Sequence, residues 1–206
     1  ISRALVEAHK RAYTAMKKVR PDIRIGIAKH NIFFESNANP FNMLVCAFID
    51  RFWNHRFLQR IKGYQDFIGL NHYHHRKFGA TAAERAAAVR SDMGWEVHPT
   101  SLYHCLVALK KYGLPIYVSE NGIADATDTR RAQFITDAVA CVHRALAEGV
   151  PVKGYLYWSL LDNFEWAEGF TKRFGLVEVD YATFARKVRP SAYVYKQVCE
   201  QNALID

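Results

Sequence analysis

The sequence contains no apolar run near the roughly 18 residues needed to cross a bilayer. No signal-peptide pattern opens it. A helical membrane span is therefore excluded, and a cytoplasmic location is expected. Cysteine is scarce. The four present (Cys46, Cys105, Cys141 and Cys199) lie far apart and form no CxxC pair. This argues against a disulfide framework or a thiolate metal site. Three fall on apolar faces of predicted helices, so they read as core thiols in a reducing compartment. No nucleic-acid motif accompanies the net charge of +8. The densest basic cluster (Lys10, Arg11, Lys17, Lys18 and Arg20) reads as a solvated helix face, not a nucleic-acid patch. No linker, low-complexity stretch or strong internal repeat interrupts the chain, so residues 1–206 are expected to form one unit.

What is present is an apolar, aromatic-rich chain of 206 residues, long enough to bury a substantial core. Four short, nearly continuous apolar runs (23–28, 67–73, 115–119 and 152–159) have the look of strands buried on both faces. Helical patterns lie between them. Residues 2–19 place Leu5, Ala8, Ala12, Ala15 and Met16 at helical spacing, and residues 41–61 form an amphipathic segment after Pro40. Thr100 or Ser101 caps a helix that Gly113 ends. Asp128 or Thr129 caps another that Gly149 ends. Pro190 suits the first turn of a last helix. One helix followed by four βα units predicts an α/β fold with a parallel sheet and right-handed crossovers. Four strands do not close an eight-stranded barrel. The chain also starts at Ile1 within a helical pattern, so a fragment, a processed product or an engineered cut is expected.

Polar and aromatic residues gather where the strands end. The second strand ends in Asn71-His72-Tyr73. The third runs Pro115-Ile116-Tyr117-Val118-Ser119 into Glu120, and Asn121-Gly122 signals a turn. The fourth reaches Trp158-Ser159 and continues to Asp162-Asn163-Phe164-Glu165-Trp166. A carboxylate at the C-terminal end of a buried parallel strand is poorly placed for stability and well placed for chemistry. Aromatic faces beside carboxylates suit a sugar, the rings taking its C–H face and the acids its hydroxyls.

These residues resemble glycoside hydrolase family 1, the retaining β-glucosidases and β-glycosidases. The resemblance rests on Tyr117–Gly122, on Asp66–Tyr73, on Asp92-Met93-Gly94-Trp95, and on Tyr157–Trp166 followed by Arg173-Phe174-Gly175-Leu176. It implies a TIM (β/α)8 barrel, with this chain covering the C-terminal half, strands five to eight with their helices. It also implies roles. Glu120 is the expected nucleophile, and Tyr73 hydrogen-bonds it. Asn71 lies beside the pocket, and Trp158 forms the platform under the sugar. Glu165 binds glycone hydroxyls and Trp166 another, Trp95 flanks the aglycone, and Phe174 lines the pocket. His72 stands where the family more usually has Tyr, and Ser119 where it has Thr. No cofactor and no metal are implied.

Retaining hydrolysis uses two carboxyl groups about 5 Å apart. The family's acid/base lies in an Asn-Glu-Pro motif, which this sequence does not contain. The expected function is therefore hydrolysis of β-glycosidic bonds, with this chain supplying the nucleophile and an N-terminal half-barrel the acid/base. A half-barrel leaves strand edges open, so a partner half or self-association is expected. The alternatives are a non-catalytic sugar-binding module and a barrel-assembly fragment.

The remaining candidates have plainer readings. His72, His74 and His75 are dense enough to suggest a metal, but ordinary rim side chains are preferred. Asp66, at the bottom of the second strand, reads as structural, and Asp162 as a turn or helix-capping residue. Glu35 is the only in-chain candidate for a substitute acid, and a poor one.

Overall fold

The computed structural model describes residues 2–204. Helix α1 (Ser2–Val19) packs through Val6, His9, Tyr13 and Lys17, one face at three- to four-residue spacing. His9 Nε2 lies 2.7 Å from the Tyr64 carbonyl, Tyr13 Oη donates to Asp66, and Lys17 Nζ sits 2.9 Å from the same carboxylate. Asp66 also accepts the Ile25 N–H at 2.8 Å, so it clamps the bottom of the sheet. The apolar stripe read from the sequence faces the other way: Leu5 is 56 % exposed and Met16 41 %. Polar anchors to Tyr64 and Asp66 set the helix orientation here, and the stripe is left without a cover.

Strand β1 (Gly26–His30) leads to β2 (Phe33–Ser36). Helix α2 (Pro40–Asp50), capped by the Asn39 side chain, runs through a π-helical turn at Arg51–His55 into α3 (Arg56–Arg60). The segment read as one helix is thus helical throughout but changes its winding midway. Next come β3 (Phe67–Asn71), β4 (His75–Phe78), α4 (Ala82–Ala87) and α5 (Ser101–Leu109). The chain continues through β5 (Ile116–Asn121), α6 (Arg131–Ala147), β6 (Val152–Tyr157), a hairpin of β7 (Val177–Val179) and β8 (Arg186–Val188), and α7 (Pro190–Gln201).

The four strands predicted from apolar runs form one parallel sheet in the order β1-β3-β5-β6. Their side chains divide by the strand period of two. Ile68, Leu70, Ile116 and Val118 are fully buried beneath the helices, where they join Leu102, Leu106, Leu109 and Ile135 in the core. Each such side chain contributes about 1.5–3 kcal/mol by leaving water. Phe67, Tyr117 and Ser119, on the opposite face, are only half-buried. Two small sheets were not anticipated. Parallel β2–β4 and antiparallel β7–β8 are built from short, mixed-polarity segments whose pattern gives no strand signal.

Three local expectations are corrected. Strand β1 starts three residues later and ends two residues later than read, because its last residues, Lys29 and His30, are polar. Neither Thr100 nor Asp128 caps its helix by a side-chain bond. Asp125 accepts the Arg130 N–H at 2.8 Å at the start of α6, while Asp128 accepts the Ser191 N–H and hydroxyl at 3.0 and 2.6 Å and so anchors α7. Cysteine burial is mixed: Cys105 and Cys141 are buried, Cys46 half-buried and Cys199 exposed, all as free thiols.

Asp162 is neither a turn nor a capping residue. Its side chain is fully buried and paired with Arg189 through two 3.0 Å contacts, while Gly175 N–H donates to it at 2.9 Å. Arg173 adds a longer contact at 3.4 Å. Removing one partner of a buried pair leaves the other charge uncompensated. Asp162→Asn is therefore expected to cost about 3–5 kcal/mol, read as a lowered urea midpoint with the slope unchanged.

Candidate active site

The site grows from the C-terminal ends of β3 and β5. Strand β5 continues two residues past the expected end, so Glu120 lies within it and opposite Asn71 across a local shift in register. Asn121-Gly122 is not a turn. Asn121 is buried, donating from Nδ2 to the His72 carbonyl at 2.6 Å and accepting from Tyr155 Oη at 2.9 Å. A side chain on Gly122 would overlap the carbonyl oxygen of Trp158, so glycine is required there by close approach of two backbones. Trp158 N–H donates to the Asn121 carbonyl at 2.9 Å, which binds the end of β6 to the end of β5.

Around Glu120 the structure assembles several of the sequence-predicted residues. Tyr73 Oη donates to Glu120 Oε2 at 2.6 Å. Burial, then that bond to a carboxylate, raises the Tyr73 phenol far above its ordinary range, so it stays a donor. Ser119 Oγ donates to Asn71 Oδ1 at 2.7 Å and fixes the amide beside the carboxylate. Phe174 is buried and meets the Tyr73 ring edge-on at 6.0 Å. Trp95 approaches the same ring at 5.9 Å and stacks on His74 at 4.9 Å. Burial, and then the negative charge of Glu120, raise the proton affinity of half-buried Glu165. A hydrogen bond from Trp158 offsets part of that rise. Trp166 is 82 % exposed, so the chain does not gather it into the pocket.

Two candidates are placed elsewhere. Glu35 lies on β2, 3.8 Å from His75 and 3.4 Å from Lys77, so its carboxylate pairs with these two residues and not with those named around Glu120. His72 is fully buried: Nδ1 lies 2.9 Å from the Asn31 carbonyl and Nε2 2.6 Å from Ser101 Oγ. Both nitrogens are engaged and burial lowers its pKa to about 3, so His72 is not a ligand.

His30 is a rim residue that the sequence reading missed. It ends β1, with its ring 6.4 Å from Tyr73 and 5.7 Å from His74. Burial, followed by the neighbouring His74 and Lys29 charges, lowers its pKa to about 4, so it is neutral near pH 7. The strand-end rule that singles out Glu120 finds His30 too, once β1 is given its true end.

With this geometry in hand, the comparisons with known proteins agree. The profile described as Glycosyl hydrolase family 1 matches residues 47–204. The chain belongs to that family. It is 36 % identical to a β-galactosidase of Saccharolobus solfataricus, over 98 % of this chain and 48 % of the relative. It is 34 % identical to β-glucosidase A of Thermotoga maritima, over 98 % of this chain and 56 % of the relative. Among solved structures, a hyperthermophilic β-glucosidase from Pyrococcus furiosus superposes with a TM-score of 0.92 at 32 % identity, covering 99 % of this chain and 47 % of that one. The four-stranded parallel sheet is thus part of a TIM barrel, and the chain spans about half the length of the curated relatives it matches.

Proposed function

We propose that the chain is the C-terminal (βα)4 unit of a retaining β-glycosidase, hydrolysing β-glucosides or β-galactosides. The observation that carries this reading is Glu120 at the end of a central parallel strand, held at 2.6 Å by Tyr73. Glu120 attacks the anomeric carbon, the glycosidic bond breaks, and water then releases the sugar with retention. Tyr73 holds the attacking carboxylate in place. Trp158, Glu165 and Asn71 recognise the glycone, Trp166, exposed in this chain, joins them when the rest of the barrel is in place, Phe174 closes the inner wall, and Trp95 flanks the aglycone.

The acid/base carboxyl comes from the part of the barrel that the relatives have and this chain does not span. Support for such a partner lies in what the fold leaves uncovered. Strands β1 and β6 have no outer sheet neighbour among the described residues. Leu156 on β6 and Leu160 just after it are 59 % and 68 % exposed, and the α1 stripe is open as well. A complementary half-barrel, or a second copy of this chain, covers these faces. No described helix is long and apolar enough to cross a membrane, and four free thiols suit a reducing, cytoplasmic setting.

Tyr73→Phe tests the site. The hydroxyl it removes supports the charged form of Glu120, and a hydrogen bond to a charged group is worth about 1.5–3 kcal/mol. In the completed barrel, kcat/KM is expected to fall about 10–100-fold. An unchanged kcat/KM would count against the assignment.

A further inference from the structure

Away from Glu120, three side chains from separate stretches of the chain converge. Glu35 comes from β2, His75 from β4, and His98 from the segment entering α5. One ligating atom of each lies within 4.8 Å of the others. We propose that Glu35, His75 and His98 bind a divalent transition metal of the zinc class.

The first argument is the state of His75. Its side chain is only 3 % exposed, yet Nδ1 has no hydrogen-bond partner and Nε2 has Glu35 Oε2 at 3.8 Å, beyond hydrogen-bond length. A neutral imidazole carries one N–H and one lone pair. Whichever tautomer is present, a lone pair of a buried ring is left unused, and an unsatisfied buried polar group is costly. A cation uses that lone pair.

The second argument is orientation. His98 Nδ1 lies 3.2 Å from Thr100 Oγ1, which occupies that nitrogen and leaves Nε2 to ligate. The His75 and His98 rings stack at 4.0 Å with a 30° tilt, and Phe33 backs His75 from β2. Stacking through ring faces leaves the edge nitrogens available.

The donor set selects the ion. Two imidazoles and one carboxylate suit zinc and its first-row neighbours, whereas calcium and magnesium favour oxygen donors. The cleft also holds Lys77, Glu84, Arg85 and Glu96. Lys77 Nζ now bridges Glu35 at 3.4 Å and Glu84 at 2.9 Å. A metal at Glu35 leaves it the shorter pairing with Glu84. Glu96 or water fills the fourth position. The bound ion would fasten β2 and β4 to the segment that carries Trp95, three residues before His98.

The test is zinc titration of the full 206-residue chain after chelation, followed by calorimetry, with cobalt as spectroscopic stand-in. One ion per chain is expected, with visible cobalt bands of a four-coordinate site. Glu35→Gln and His98→Ala should each weaken binding by roughly 10–100-fold or more, and His143→Ala on α6 should not. Circular dichroism checks that each variant is folded. Should one fail to fold, ring NMR of the unmodified chain still decides, because zinc must shift two histidine signals together. No stoichiometric uptake, equal uptake by all variants, or no paired histidine shift would overturn the proposal.

Discussion

Glu120→Gln, in the completed barrel, is expected to lose turnover by about 10⁴–10⁶-fold, the scale reached when other active-site nucleophiles are removed. The amide keeps the shape of the carboxylate and still accepts a hydrogen bond from Tyr73, so folding and sugar binding should survive. What is lost is the ability to form a bond to the anomeric carbon. Titrating an aryl glucoside against both proteins while following product separates the two readings of this chain. A catalytic unit binds in both cases and turns over only with Glu120. A sugar-binding module binds equally in both cases and turns over in neither. Equal turnover by the two proteins would remove Glu120 from the mechanism.

The second large effect depends on the leaving group. General acid catalysis typically contributes 10²–10⁴-fold. It matters most when the departing oxygen is basic, as in a disaccharide. A chain without the acid/base should therefore fail on cellobiose while retaining measurable reaction with an aryl glycoside whose leaving group needs little protonation. Adding the complementary N-terminal half-barrel of a relative should restore cellobiose cleavage by about 10²-fold or more. Side-by-side initial rates on the two substrates, with and without that half, provide the check. Robust cellobiose cleavage by the chain alone would show that its acid lies among these 206 residues.

Much of the fold was legible because the physics that sets it is local. The β3 and β5 runs are apolar at nearly every position, as strands covered on both faces must be, and their ends carry Asn71 and Glu120. Gly113, at φ 65°, ends the 3-10 turn after α5 as the sequence suggests. The errors have non-local causes. His9, Tyr13 and Lys17 turn α1 because their partners, Tyr64 and Asp66, lie about 50 residues away. Asp162 resembles a loop residue until Arg189 is brought beside it by the β7–β8 hairpin. Asn121-Gly122 reads as a turn from composition, yet Trp158, 36 residues on, makes the glycine necessary. The same limit hid His98 from His75, whose meeting depends on the loop before α5 folding back over β4. Around the candidate site, Asn71 and Tyr73 reached Glu120 because they sit at and just past the end of the neighbouring strand β3. Phe174 and Trp166 both lie on the long connection after β6, where only Phe174 is packed against Tyr73.

The assignment of Glu120 is tested most directly by chemistry that stops halfway. An activated 2-deoxy-2-fluoro glycoside forms the covalent sugar adduct and hydrolyses it very slowly, so digestion and mass spectrometry of the completed barrel locate the bond. The account predicts one sugar per chain, on the peptide spanning Glu120 and attached to that side chain. A label on Glu165, on any other residue, or on the partner half alone would contradict it.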